Sequence, residues 1–193
     1  MEIIGKLLGN SARVKVMRLF LLNKNKGFLN KEIVKRSRVT PELVRRELHL
    51  LAGVGFIKKR GQMWSFDSSF KYAFEFENLL INADTIDKEM IADTFKKVGR
   101  VKFLTIAGVF IKNKESRVDL LIVGDRMKKS KIDEGVRRLE AEIGAELTYA
   151  IFDTKEFVYR INMYDKLVRD ILDFPHEVVF QAKELSTQAL KKD

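Results

Sequence analysis

The chain has 193 residues, 46% of them hydrophobic and 33% charged, with a net charge of +10, no cysteine and two histidines. Without cysteine there is neither a disulfide framework nor a thiolate zinc site, His49 and His176 cannot build a zinc centre between them, and no apolar run reaches the ~18 to 20 residues of a membrane span. The charge is uneven: Met1 to Phe66 holds 15 Lys+Arg against 4 Asp+Glu, a net of +11, whereas Asp67 to Asp193 holds 22 against 23. A segment that concentrates positive charge repels itself and is best matched by a polyanion, so nucleic acid is the first partner to expect.

Met1 to Leu8 is too short and too soon followed by polar residues to be a signal peptide, and the expected setting is cytoplasmic. Ser11 is placed to cap a helix running to about Leu22, with Val14, Met17 and Leu21 at helical spacing; Asn23 to Gly27 ends it. Asn30 caps a short helix over Lys31 to Ser37 that turns Ile33 and Val34 inward, and Arg38-Val39 forms a tight turn. Thr40-Pro41 opens a third helix, in which Thr offers an oxygen to unpaired amides and Pro occupies the first helical position. Val44, Leu48 and Leu51 recur at i, i+4 and i+7 and should bury, leaving Glu42, Arg45, Arg46 and His49 to solvent. Gly53 and Gly55 stop this helix, and Phe56 to Phe66 reads as a small hairpin about a basic, glycine-containing turn.

The run Asn30-Lys31-Glu32-Ile33-Val34, the run Thr40 to Leu48 with its Val44-Arg45-Arg46-Glu47-Leu48 core, and Gly55-Phe56-Ile57 before the hairpin resemble winged-helix transcriptional regulators of the broad arsenic- and multiple-antibiotic-resistance type. The resemblance covers about Ser11 to Phe66. It implies that the third helix enters a major groove, where Glu42, Arg45, Arg46 and His49 reach base edges or phosphates. It further implies that Lys58, Lys59, Arg60 and Gln62 extend from the wing, and that Lys31 and Thr40 contact phosphates. The alternative is that Glu42 and Arg46 form a solvated i, i+4 ion pair, that the hairpin lysines keep a strand edge soluble, and that His49 is a plain surface residue.

Beyond the basic third, the aromatics Phe70, Tyr72, Phe74 and Phe76 fall at every second position, so Lys71 to Ile81 reads as an extended connector or strand. A helix is expected from about Thr85 to Val98, then strands at Val101 to Ile111 and Arg117 to Val123. A helix over Lys131 to Ile143, a strand over Glu146 to Phe152, a helix over Thr154 to Leu172 capped by Thr154, and a short strand at Val178 to Phe180 complete the order. Leu185 to Asp193 forms a last helix or a tail. The fold class is α/β (α+β), with domains at 1–68 and 84–193 joined by a connector at 69–83.

Phe103 to Gly108, Ser116 to Gly124, Ile143 to Tyr149, and Asp153 to Phe157 with Arg160 resemble the small nucleotidyltransferase fold shared with DNA polymerase beta. In active members, a Gly-Ser turn and carboxylates on two strands hold two magnesium ions for nucleotidyl transfer. Here Gly108 is followed by Val109, Arg117 stands at the first aspartate position, Thr148 or a neighbour at the third, and only Asp119 remains. A guanidinium in place of a carboxylate changes the local charge by +2 and repels the cation, which implies lost transferase activity, with no cofactor or metal expected. Arg117 and Asp119, helped by Lys112 and Lys114, are then candidates to hold a nucleotide or other anion; the alternative is a charged turn in water. The expected partners are double-stranded DNA and a second copy of the chain, with the rear domain serving dimerisation or sensing. The competing expectation is an active nucleotidyltransferase that uses Asp119 and selects substrates through its winged helix.

Overall fold

The computed structural model describes residues 2–83, 87–113 and 115–185. The expectations at Thr85, at Lys114 and beyond Leu185 lie outside the described residues. The chain divides into two compact units, the first made of Met1–Ile86 with Arg137–Glu146 and the second of Asp87–Val136 with Leu147–Asp193. Helices and a mixed sheet are both present.

In the first unit α1 (Glu2–Leu7) and α2 (Ser11–Leu22) are followed by β1 (Gly27–Phe28), α3 (Asn30–Ser37), α4 (Pro41–Gly53), β2 (Ile57–Arg60) and β3 (Met63–Phe66). The three strands make an antiparallel sheet in the order β1-β3-β2, with Phe28 opposite Trp64 and Lys59 opposite Trp64 on its other side. The α2 cap is Asn10 rather than Ser11: its side chain accepts from Arg13 N at 2.7 Å, and Ser11 is the first helical residue. Val14, Phe20, Ile33, Val44, Leu48 and Phe56 form the core among them, each at most 1% exposed. Burying a side chain of this size contributes about 1.5–3 kcal/mol, which is what holds such short elements together.

Residues 69–83 do not form an extended strand. They carry α5 (Ala73–Glu77) and a π-helical turn over Asn78–Ala83, and they pack into the first unit. Phe70, in the turn before α5, packs with Ala73 and Phe76 of the helix against the core, and the Phe70 and Phe76 rings meet Phe56 at 5.2 and 6.3 Å, while Tyr72 and Phe74 stay exposed. The alternating aromatics therefore conceal a turn into a helix that carries Phe70 and Phe76 to the same core.

Arg137–Glu146 also belongs to this unit. The guanidinium of Arg18, 2% exposed, donates to the carbonyls of Leu80 at 2.8 Å and Glu142 at 2.9 Å. Lys15 pairs with Glu142 at 2.7 Å, and Asn23 Nδ2 donates to the Gly144 carbonyl at 2.9 Å. Cations and donors at the carbonyl end of a helix satisfy its unpaired oxygens and complement its dipole.

The second unit holds α6 (Lys88–Phe95), β4 (Arg100–Ile106), β5 (Leu120–Asp125), the first part of α7 (Lys129–Ile143), β6 (Tyr149–Phe152), α8 (Thr154–Asn162), α9 (Lys166–Asp173) and β7 (Glu177–Gln181). Its sheet order is β6-β5-β4-β7, with β4 antiparallel to both neighbours and β5 parallel to β6. Leu120, Leu121, Ile122 and Val123 are all fully buried, as expected of a strand covered on both faces. Phe103, Leu121 and Val123 meet Phe152, Phe157, Val168 and Ile171 in one core.

Several boundaries move. β4 stops at Ile106 because Gly108 turns the backbone left-handed (φ 53°) into a short 3-10 turn, and β5 starts at Leu120, after Arg117 and Asp119. The single helix expected over Thr154 to Leu172 is two. Tyr164 adopts φ 53° and Asp165 caps α9 by accepting from Val168 N at 3.1 Å, while Asp153 rather than Thr154 caps α8. Among the described residues no helix is long and apolar enough to cross a membrane.

Candidate nucleic-acid interface

Helix α4 begins at Pro41 with Thr40 as its N-cap, but the Thr40 hydroxyl makes no capping bond; only the Thr40 carbonyl joins the helix, accepting from Val44 N at 2.9 Å. Thr40 is exposed and its hydroxyl is not committed to the helix. Val44, Glu47, Leu48 and Leu51 bury. Glu42, Arg45, Arg46 and His49 are all exposed, and at 100° per residue they occupy a roughly 100° arc of the cylinder. The ion pair on this face joins Glu42 to Arg45 at 3.7 Å, not to Arg46. Exposed and long, it contributes at most ~1 kcal/mol and leaves Arg45 available.

Glu47 sets the rotation of that arc. Its side chain is fully buried and accepts from Arg13 Nε at 2.7 Å and Asn10 Nδ2 at 2.8 Å. Burial alone would raise its pKa, but the bonds from Arg13 and Asn10 and the Arg13 charge outweigh it, so the carboxyl sits below its ordinary value. An anchored, charged Glu47 fixes the opposite side of α4 outward.

Asn30 does not cap α3; it is the first helical residue, and its Oδ1 accepts from the Trp64 indole N–H at 2.8 Å. The Glu32 carboxylate instead closes the turn, accepting from Leu29 N at 2.7 Å. The Asn30–Trp64 bond ties α3 to the hairpin. Lys59 lies over the Trp64 ring at 5.3 Å. Beside them, a cleft of about 410 Å³ is lined by Leu29, Asn30, Lys31, Lys59 and Gln62. The fold thus brings together three of the predicted residues, Lys31, Lys59 and Gln62. Arg60 and Gly61 (φ 60°) form the exposed tip.

Lys58 faces elsewhere, pairing with Asp67 at 3.1 Å. Asp67 also accepts from Ser69 N at 3.1 Å and Ser69 Oγ at 2.8 Å, and these bonds with that of Lys58 lower its pKa to about 2. Other cations of the basic third divide the same way. Arg13, Lys15, Arg18 and Arg36 (to Glu146, 2.9 Å) are held by partners within the chain, and Lys24 pairs with Glu77 at the surface at 2.6 Å. Lys31, Lys35, Arg46, Lys59 and Arg60 are exposed and, among the described residues, hold no ion pair. Trp64 and Lys35 were not among the expected contacts, and Asn30 was expected only as a cap, although Lys35 lies one helical turn from Lys31.

No family model matches the chain, and no curated protein or solved structure matches it.

In the second unit Arg117 and Asp119 do not converge. Arg117 pairs with Asp170. Asp119 Oδ1 accepts from Val109 N and its Oδ2 from Thr148 N, both at 2.8 Å, and its own N–H donates to the Thr148 carbonyl at 2.7 Å. Backbone donors, rather than a cation, meet both Asp119 oxygens. A carboxylate used this way joins the turn after β4 to the strand start at β6. Each oxygen that accepts an N–H offers less to a cation.

Proposed function

We propose that the protein is a double-stranded-DNA-binding transcriptional regulator that works as a homodimer in the cytoplasm. On this reading the first unit is a winged helix-turn-helix: the order helix, strand, helix, helix, hairpin, with a three-stranded antiparallel sheet, supports it. The observation that carries the reading is the division of cations. Arg13, Lys15, Lys24 and Arg36 pair with carboxylates of the chain and Arg18 is held by backbone carbonyls, while Arg46 and the cleft pair Lys31-Lys59 hold no ion pair among the described residues and Arg45 only a long one, so these stay open to a polyanion. Helix α4 then lies in the major groove, with Lys31, Thr40 and Lys59 on phosphates and Arg60 and Gln62 along the backbone or minor groove. The second unit is a catalytically silent nucleotidyltransferase-like domain that serves dimerisation or sensing. Asp119, its remaining carboxylate, is spent on Val109 N and Thr148 N.

Electrophoretic shift of duplex DNA over a salt series tests this. Affinity falls steeply with salt, and an Arg45→Glu/Arg46→Glu double variant loses binding; a double variant that binds as tightly as the parent overturns it. Incorporation of labelled nucleotide in magnesium or manganese would overturn the silent reading of the second unit if Asp119→Ala removed it.

A further inference from the structure

A cavity of about 370 Å³ lies within the second unit at the corner where α6 gives way to β4. Its body is apolar: Ala92, Phe95, Val101, Leu104 and Phe180 line it. Phe95 and Leu104 are each 1% exposed and form the floor, whereas Phe180, across the register from Leu104 on the edge strand, is 45% exposed and marks the mouth. The rim carries Asp93, Lys96 and Arg100. Asp93 and Lys96 satisfy each other at 2.9 Å. Arg100 is exposed and, among the described residues, its guanidinium has no partner.

We propose that this cavity binds a small apolar anion, an aromatic or branched carboxylate whose body rests on Phe95, Leu104 and Phe180 and whose carboxylate meets Arg100. Sites for small molecules run from about 300 to 1,000 Å³ and combine apolar walls with a few placed polar groups. A dry cavity of about 150 Å³ already accepts benzene, so this volume accommodates a fused ring or a ring with a side arm. The guanidinium fork matches a carboxylate through two parallel hydrogen bonds, and the rim's net single positive charge disfavours cations. A nucleotide is a poor match, because its several charges would meet one uncommitted cation. The proposal rests on this cavity alone and is independent of DNA binding.

The test is methyl-detected NMR on the full chain, titrated with 2-naphthoate and with its neutral counterpart 2-naphthalenemethanol. The expected result is saturable shifts at the Ala92, Val101 and Leu104 methyls, with naphthoate about tenfold tighter than the alcohol. Arg100→Gln, a surface change, removes that preference and leaves alcohol binding unchanged. Ala92→Phe, which fills the cavity from α6, weakens both probes. No saturable shift below about 1 mM, shifts confined to other parts of the chain, or Arg100→Gln binding naphthoate as tightly as the parent would each overturn the proposal.

Discussion

The Glu47 carboxylate, on the helix that presents Arg45 and Arg46, accepts a 2.7 Å hydrogen bond from Arg13 Nε on α2. The same Arg13 supplies its backbone N–H to Asn10, and Asn10 donates to Glu47, so three residues lock α2 against α4. Removing the carboxylate leaves buried donors unmet. Glu47→Ala should cost about 3 kcal/mol and Glu47→Gln about 2 kcal/mol, read from urea unfolding at neutral pH. Because the folded pKa lies below the ordinary 4.5, the parent loses this contribution as pH falls beneath 4.5, and Glu47→Gln flattens that acid limb. Equal stability of variant and parent would show that the bond contributes nothing net.

Asp67 tests the same linkage at the base of the hairpin. Its pKa of about 2, set by the two bonds from Ser69 and that from Lys58, stands against 3.8 without them. The stabilisation is therefore complete above pH 3.8 and lost as pH falls towards 2. Asp67→Asn should shrink the acid sensitivity across that window in urea titrations; an unchanged curve would mean the turn does not survive in solution.

Lysines of the basic third should fall into two classes in DNA titrations. Lys59→Gln and Lys31→Gln each lower the logarithmic salt slope by about 0.9, one phosphate contact apiece. Lys24→Gln, which removes the partner of Glu77 instead, leaves the slope unchanged. Equal effects from all three would point to diffuse charge attraction rather than a defined footprint.

Gly144 follows α7 with φ 91°, and a Cβ there would lie 2.6 Å from both the Arg18 carbonyl carbon and the Leu19 nitrogen. Neither backbone atom can step aside as a side chain would. Gly144→Ala combines left-handed strain with a backbone clash and should cost about 2–3 kcal/mol, lowering the denaturation midpoint. A neutral outcome would contradict the close approach of α2 to this turn.

Asp119→Asn preserves volume but places an amide where two backbone donors converge, so one N–H of the pair at Val109 and Thr148 goes unmet. The expected loss is about 1–3 kcal/mol, with faster hydrogen exchange at one of those two amides. Unchanged protection at both would show that the carboxylate is free for other work.

Periodic features were legible in the sequence, while features that depend on distant partners were not. The Val44-Leu48-Leu51 ladder fixed both the existence of α4 and the outward placing of Arg45, Arg46 and His49, because one face of a helix cannot bury without turning the other out. Glu47 lies beside that ladder, but its burial depends on Arg13, 34 residues earlier, and no local spacing reports it. Caps slipped by one residue at Asn10 and Asp153 because neighbouring residues compete for the same role. The two-residue β1 is too short for any alternation to show. The aromatic alternation at Phe70 to Phe76 pointed to extended chain, whereas the packing of Phe70 and Phe76 on Phe56 accompanies a turn that leads into α5.

Trp64 is the chain's single tryptophan. Its indole bonds to Asn30 and lies under Lys59, beside the cleft shared by Lys31 and Gln62. Tryptophan emission, excited at the long-wavelength edge where the four tyrosines do not absorb, therefore originates at one spot, so the molecule carries a built-in optical gauge of whatever occupies that crevice, with no dye or label attached.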